Sequence, residues 1–128
     1  MSTGMPWSPT AGELLPRGAE AVGVRHKLAT YVLNSAHRDG GPKALGFERL
    51  LGITIDDIDH LEAQIMRGIL QTPTSAVRHN PPYGINCVVE VPVRGIGSRC
   101  HRTANVRTVW EFAEADAAPR LVSAYIKV

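Results

Sequence analysis

The run His37-Arg38-Asp39-Gly40-Gly41-Pro42-Lys43 gathers several groups that acid–base and anion chemistry needs. Gly40 and Gly41 let the backbone take unusual angles. Pro42 suits the first position of a helix, where its missing N–H would be unpaired anyway. A helix start presents free N–H groups and the positive end of the dipole, which together attract anions. With His37, Arg38 and Lys43 around it, this is a candidate anion site, and His37 can act as base or acid near neutral pH. The competing reading is an ordinary turn into a helix, the commoner use of Gly-Gly-Pro.

A second candidate is Arg107-Thr108-Val109-Trp110. Thr108 and Trp110 share one strand face and could line a pocket, with the indole stacking on a base. Such a Trp is more often core, and a lone Thr is more often a strand former. His79 and His101 offer further titratable groups, though each reads more simply as surface, as do His26 and His60. Asp56, Asp57 and Asp59 could suggest a metal. Their place in a first helical turn makes capping and dipole the better account, and no metal site or cofactor is expected. Cys87 and Cys100 form no CxxC pair or Cys/His quartet, so a zinc site is not expected. Two reduced thiols are the favoured reading over a cross-strand disulfide.

These residues need elements to position them. Leu28, Tyr31 and Val32 fall at i, i+3 and i+4 and predict a first helix over Arg25 to Leu33. A second runs from Pro42 through Ala44, Phe47 and Leu51 to Gly52, a natural stop. A third starts at Thr54, capped against Asp57, and draws an apolar stripe from Ile58, Leu61, Ile65 and Ile69. It fades near Gln71-Thr72-Pro73. After that the period changes. Strands are expected at Ala76 to His79, Ile85 to Val93, Arg102 to Phe112 and Leu121 to Ile126. Asn80-Pro81-Pro82 breaks the first, Arg94 to Ser98 makes a turn, and Ala113 to Pro119 is a loop. Val106, Thr108, Trp110 and Phe112 share one face of the third strand; Asn105, Arg107, Val109 and Glu111 share the other. Nothing in this half reads as a crossover helix. The expected fold is therefore α+β: about three N-terminal helices packed on a mostly antiparallel four-stranded sheet.

A chain of 128 residues with 44% hydrophobic and 20% charged side chains is long enough for one self-supporting domain and is not disordered in composition. Residues 1–12 read as a loose tail, in which Trp7 is out of place, and 13–128 as the domain. The net charge of +2 tolerates a polyanionic partner without announcing one. No stretch approaches the roughly 18 apolar residues of a membrane span, and no signal peptide is visible, so a cytoplasmic location is the default expectation. Oligomeric state is not legible.

Several segments, in order, resemble a family of small bacterial proteins known only as a domain of unknown function. They are Leu15-Pro16, Lys27-Leu28-Ala29-Thr30-Tyr31-Val32-Leu33-Asn34, His37 with Gly40 and Lys43-Ala44, Phe47, and Leu51-Gly52. Val106-Arg107-Thr108-Val109-Trp110 and Pro119-Arg120-Leu121-Val122-Ser123-Ala124-Tyr125 close the match. Departures are mild: Leu45-Gly46-Phe47 stands where paired aromatics are common, and Ser123 replaces Thr. Members of the family occur alone, and similar domains close some large bacterial toxins.

Helices followed by a four-stranded antiparallel sheet also resemble the layout of barnase and the colicin tRNases. That resemblance implies a metal-independent ribonuclease toxin acting on RNA, held in check by a cognate antitoxin or immunity protein. His37 would be base or acid, Lys43 and Arg107 would hold the phosphate with Arg38 nearby, Thr108 would hydrogen-bond it and Trp110 would stack on a base. Arg107 and Thr108 point to opposite strand faces, so both can line one pocket only if a bulge or twist intervenes. The alternative is a non-catalytic binding or accessory protein of a bacterial toxin–antitoxin-like or other complex. It expects Trp110 buried and His37 bonding backbone.

Overall fold

A computed structural model describes residues 9–79 and 84–127. Trp7 and the Asn80-Pro81-Pro82 break lie outside the described residues. The first helix, α1 (Val24–Lys27), continues as a π-helical turn over Leu28–Val32, where a regular helix was expected. There the Leu33 N–H bonds the Leu28 carbonyl five residues back, at 2.8 Å. Leu28 and Val32 enter the core and Tyr31 stays half-buried at its rim. Helix α2 (Gly41–Leu51) carries Pro42 in its first turn and stops at Gly52, whose φ of 70° is the left-handed conformation glycine accepts.

Helix α3 (Ile58–Ile69) follows a 3₁₀ turn over Ile55–Asp57. Its capping box forms as the sequence predicts: the Thr54 N–H donates to Asp57 Oδ2 at 2.9 Å, and Thr54 Oγ1 accepts from the Asp56 N–H at 3.3 Å. Ile58, Leu61, Ile65 and Ile69 are buried in one stripe. Gly68 permits close approach to the sheet, because a Cβ there would stand 2.8 Å from that of Val91. Among the described residues no helix is long and apolar enough to cross a membrane.

The four strands β1 (Ala76–His79), β2 (Ile85–Arg94), β3 (Thr103–Phe112) and β4 (Arg120–Ile126) form an antiparallel meander in the order β1-β2-β3-β4. The architecture is thus α+β, helices first and sheet last, as the change of period implies. The core takes its strand residues from one face: Cys87, Val89, Val91, Val93, Val106, Trp110, Phe112, Leu121 and Ala124. The opposite face carries Asn86, Glu90, Arg107 and Tyr125, with Glu90 across from Arg107 and Arg107 across from Tyr125 in register. The β3–β4 register shifts between Val109 and Trp110. At the start of β4, Val22 pairs in parallel with Arg120. The chain at Gly12 and Glu13 is tied to Thr74, by Gly12 N–H to the Thr74 carbonyl and Thr74 N–H to the Glu13 carbonyl, each 2.8 Å.

Candidate functional site

Strand β3 divides the expected site residues between its two faces. Thr108 and Trp110 are fully buried. The Trp110 Nε1–H donates to Thr108 Oγ1 at 2.8 Å, and the Thr108 hydroxyl donates to the Val89 carbonyl at 2.6 Å. Each group thus satisfies the other inside the core, where an unpaired polar atom would be costly. Neither has surface to offer a phosphate or a base. The register shift beside them does not bring Thr108 to the face of Arg107.

His37 is committed to its own linker. Its Nδ1 accepts the N–H groups of Asp39 and Gly40, each at 3.0 Å, so in this arrangement the proton sits on Nε2. The ring stands edge-on to Tyr31, 4.9 Å between centroids. Behind it Gly40 packs so tightly on the π-helical turn that a Cβ would lie 1.9 Å from the Tyr31 carbonyl oxygen. His37 therefore fixes the entry to α2 and, through it, Lys43. Arg38 is exposed on the same linker. His79 and His101 are exposed, while His60 Nε2 lies 2.9 Å from the Arg94 carbonyl oxygen.

Lys43 and Arg107 do come into one neighbourhood, joined by residues that the motif reading did not assign. Lys43 Nζ donates to the Tyr31 hydroxyl at 2.9 Å and lies 5.8 Å from the centre of the Tyr125 ring. Arg107 Nη1 donates to the Tyr125 hydroxyl at 3.4 Å. Tyr125, and after it Glu90, raise the Arg107 pKa further above the ordinary arginine range, so its charge is permanent. Arg107 Nε is occluded and makes no hydrogen bond; its nearest carboxylate oxygen is Glu90 Oε2 at 3.6 Å. Glu90 also accepts from Lys127 at 3.2 Å and from Asn105 at 3.2 Å.

Two concavities share Tyr125. A hollow of about 130 Å³ on the open sheet face is lined by Arg78, Asn86, Val88, Arg107, Val109 and Tyr125. A groove of about 330 Å³ runs between α2 and β4. Tyr31, Glu90, Arg78 and Tyr125 are the residues missed. Tyr31 and Tyr125 stood inside the recognised motifs. Glu90 could have been found by pairing the polar face of β3 with the polar positions of β2. Asp56 and Asp57 belong to the α3 start, and among the described residues no group of three or more His, Cys, Asp or Glu is placed to hold a metal. Cys87 and Cys100 are free thiols.

Fold and surface define a small α+β domain with a polar, cation-bearing sheet face. The chain belongs to the family DUF6883, a domain of unknown function, which it matches over residues 14–128. Among solved structures it is similar to a chain of a contact-dependent growth inhibition toxin–immunity protein complex from Klebsiella pneumoniae 342. The TM-score is 0.57 and the identity 15%, over 84% of this chain and 92% of that one. At that identity the likeness is one of fold. No curated protein matches the sequence.

Proposed function

We propose that this chain is a toxin-type ribonuclease domain that needs no metal ion, with its site on the open sheet face and around the β4 edge. The observation that carries the reading is the row Lys43–Tyr125–Arg107, two cations on one aromatic side chain at 5.8 and 3.4 Å. A scissile phosphodiester gains negative charge as the neighbouring 2′-oxygen attacks phosphorus, and fixed cations stabilise that charge. The 2′-O–P bond forms as the P–O5′ bond breaks. A base takes the 2′-proton and an acid supplies one to the departing 5′-oxygen. Glu90, beside Arg107, is the carboxylate suited to the first task, and the Tyr125 hydroxyl is suited to the second. His37, its Nδ1 occupied, acts by holding the linker. Thr108 and Trp110 serve the core, and Arg38 stands at the margin as a cation for the flanking strand.

The sequence resemblance supports the toxin reading. So does the shared fold with a chain of a toxin–immunity protein complex, a likeness that suits either member of such a pair. A second reading, a non-catalytic binding or accessory protein, is favoured by the burial of Trp110 and by the backbone bonds of the His37 ring.

One experiment separates the two. Purified protein is incubated with RNA in excess chelator, and induced cells are followed for growth arrest. Cleavage to 2′,3′-cyclic phosphate ends is expected, falling about a hundredfold or more in Arg107→Ala and in Lys43→Ala. A harmless wild type that leaves RNA intact returns the accessory reading.

A further inference from the structure

We infer that the groove between α2 and β4 is the subsite for a nucleobase of the bound strand, an inference that rests on the ribonuclease reading and names where its substrate lies. The groove is lined by Pro42, Lys43, Gly46 and Leu50 of α2 and by Tyr125 and Ile126 of β4. Pro42, Gly46 and Leu50 repeat at four-residue spacing, so they share one helix face. The floor exists because position 46 has no side chain: nothing stands within 4 Å of where a Gly46 Cβ would lie. Leu50 and the neighbouring Leu45 are 37% and 43% exposed, so apolar surface is left uncovered.

The occupant follows from what surrounds this surface. The lining is apolar except for Lys43 and the Tyr125 hydroxyl, and Lys43 belongs to the phosphate row. Tyr125 walls the groove on one side and the Arg107 hollow on the other. A ligand that fills both is apolar at one end and anionic at the other, a description that a nucleotide within a single strand meets. Base edges find few hydrogen-bond partners in such a slot. Stacking and fit therefore hold the base, which makes the subsite tolerant of sequence.

The test uses short single-stranded oligoribonucleotides with 2′-O-methyl groups, which cannot be cleaved, and the same backbone made abasic. Binding is read by fluorescence anisotropy. The wild type is expected to bind the base-bearing strand about tenfold more tightly than the abasic one, in line with the stacking contribution of a single base. Gly46→Leu, which fills the groove, should reduce that advantage to about twofold or less while leaving abasic affinity unchanged. Leu50→Gln, which makes the groove wall polar without adding charge, should do the same, and guards against a folding defect in the first variant. A base advantage that survives both variants overturns the subsite but leaves the ribonuclease reading standing. Failure of the wild type to bind either strand overturns both.

Discussion

Glu90 sits where charge neutralisation and the proposed catalysis make opposite demands. Its carboxylate offsets Arg107 and Lys127, yet it would repel an incoming phosphate. Glu90→Gln should therefore bind uncleavable RNA more tightly than the wild type, by a few-fold, while cleaving at about one hundredth the rate or less. Tighter binding with unchanged cleavage would remove Glu90 as the base. The cysteines give a second contrast at this scale. Cys87 is buried against the core, and burial pushes its thiol up to about 11, whereas Cys100 is exposed. An alkylating reagent should modify the native protein at Cys100 alone. An unfolded thiol ionises near 8.5, so between that pH and about 11 the unfolded state holds fewer protons than the folded one. Stability is then lost as pH rises through this window, by on the order of 3 kcal/mol. Urea melts at both ends of the window test this, and Cys87→Ala should lack the thiol's contribution.

Two glycines of the α2 region should respond to substitution with opposite sign. Gly46 is mid-helix with open space around it, so Gly46→Ala should stabilise the protein by about 0.5–1 kcal/mol. Gly40 has an ordinary φ of −82°, so its requirement is space, not backbone angle. Alanine there meets the Tyr31 carbonyl, and the linker must shift at a cost of about 1–3 kcal/mol. A thermal melt of Gly40→Ala indistinguishable from wild type would refute that close packing. This pair also marks how far elements can be read without coordinates. Helix α3 was legible because its stripe and its Thr54–Asp57 cap are local signals. The strands were legible from alternation and β-branched content. The π-helical turn was not, because Leu28 and Val32 fit a regular helix equally well. The site was half legible. Lys43 and Arg107 are named by residue type, but Tyr125 and Glu90 join them only through strand register, which a single strand does not encode.

Across the whole molecule, β3 keeps its core residues and its charged residues on separate faces. Its inward positions Val106, Thr108, Trp110 and Phe112 are buried, while Arg107 faces outward with Glu90 and Tyr125. Trp110 is among the largest fully buried side chains and supplies the hydrogen bond that Thr108 accepts. Trp110→Ala should destabilise the fold by about 3–5 kcal/mol through lost burial and the cavity left behind. For a domain of this size that is a fall in melting temperature of roughly 10 °C or more. Lys43→Ala and Arg107→Ala should melt within a few degrees of the wild type, since both side chains are partly exposed and their partners keep access to water. Trp110→Phe, which retains most of the volume, should fall between, and at a temperature where it remains folded it should bind RNA like the wild type. That last measurement is the sharpest, because an indole that stacked on a base would reveal itself as lost RNA affinity in a protein still fully folded.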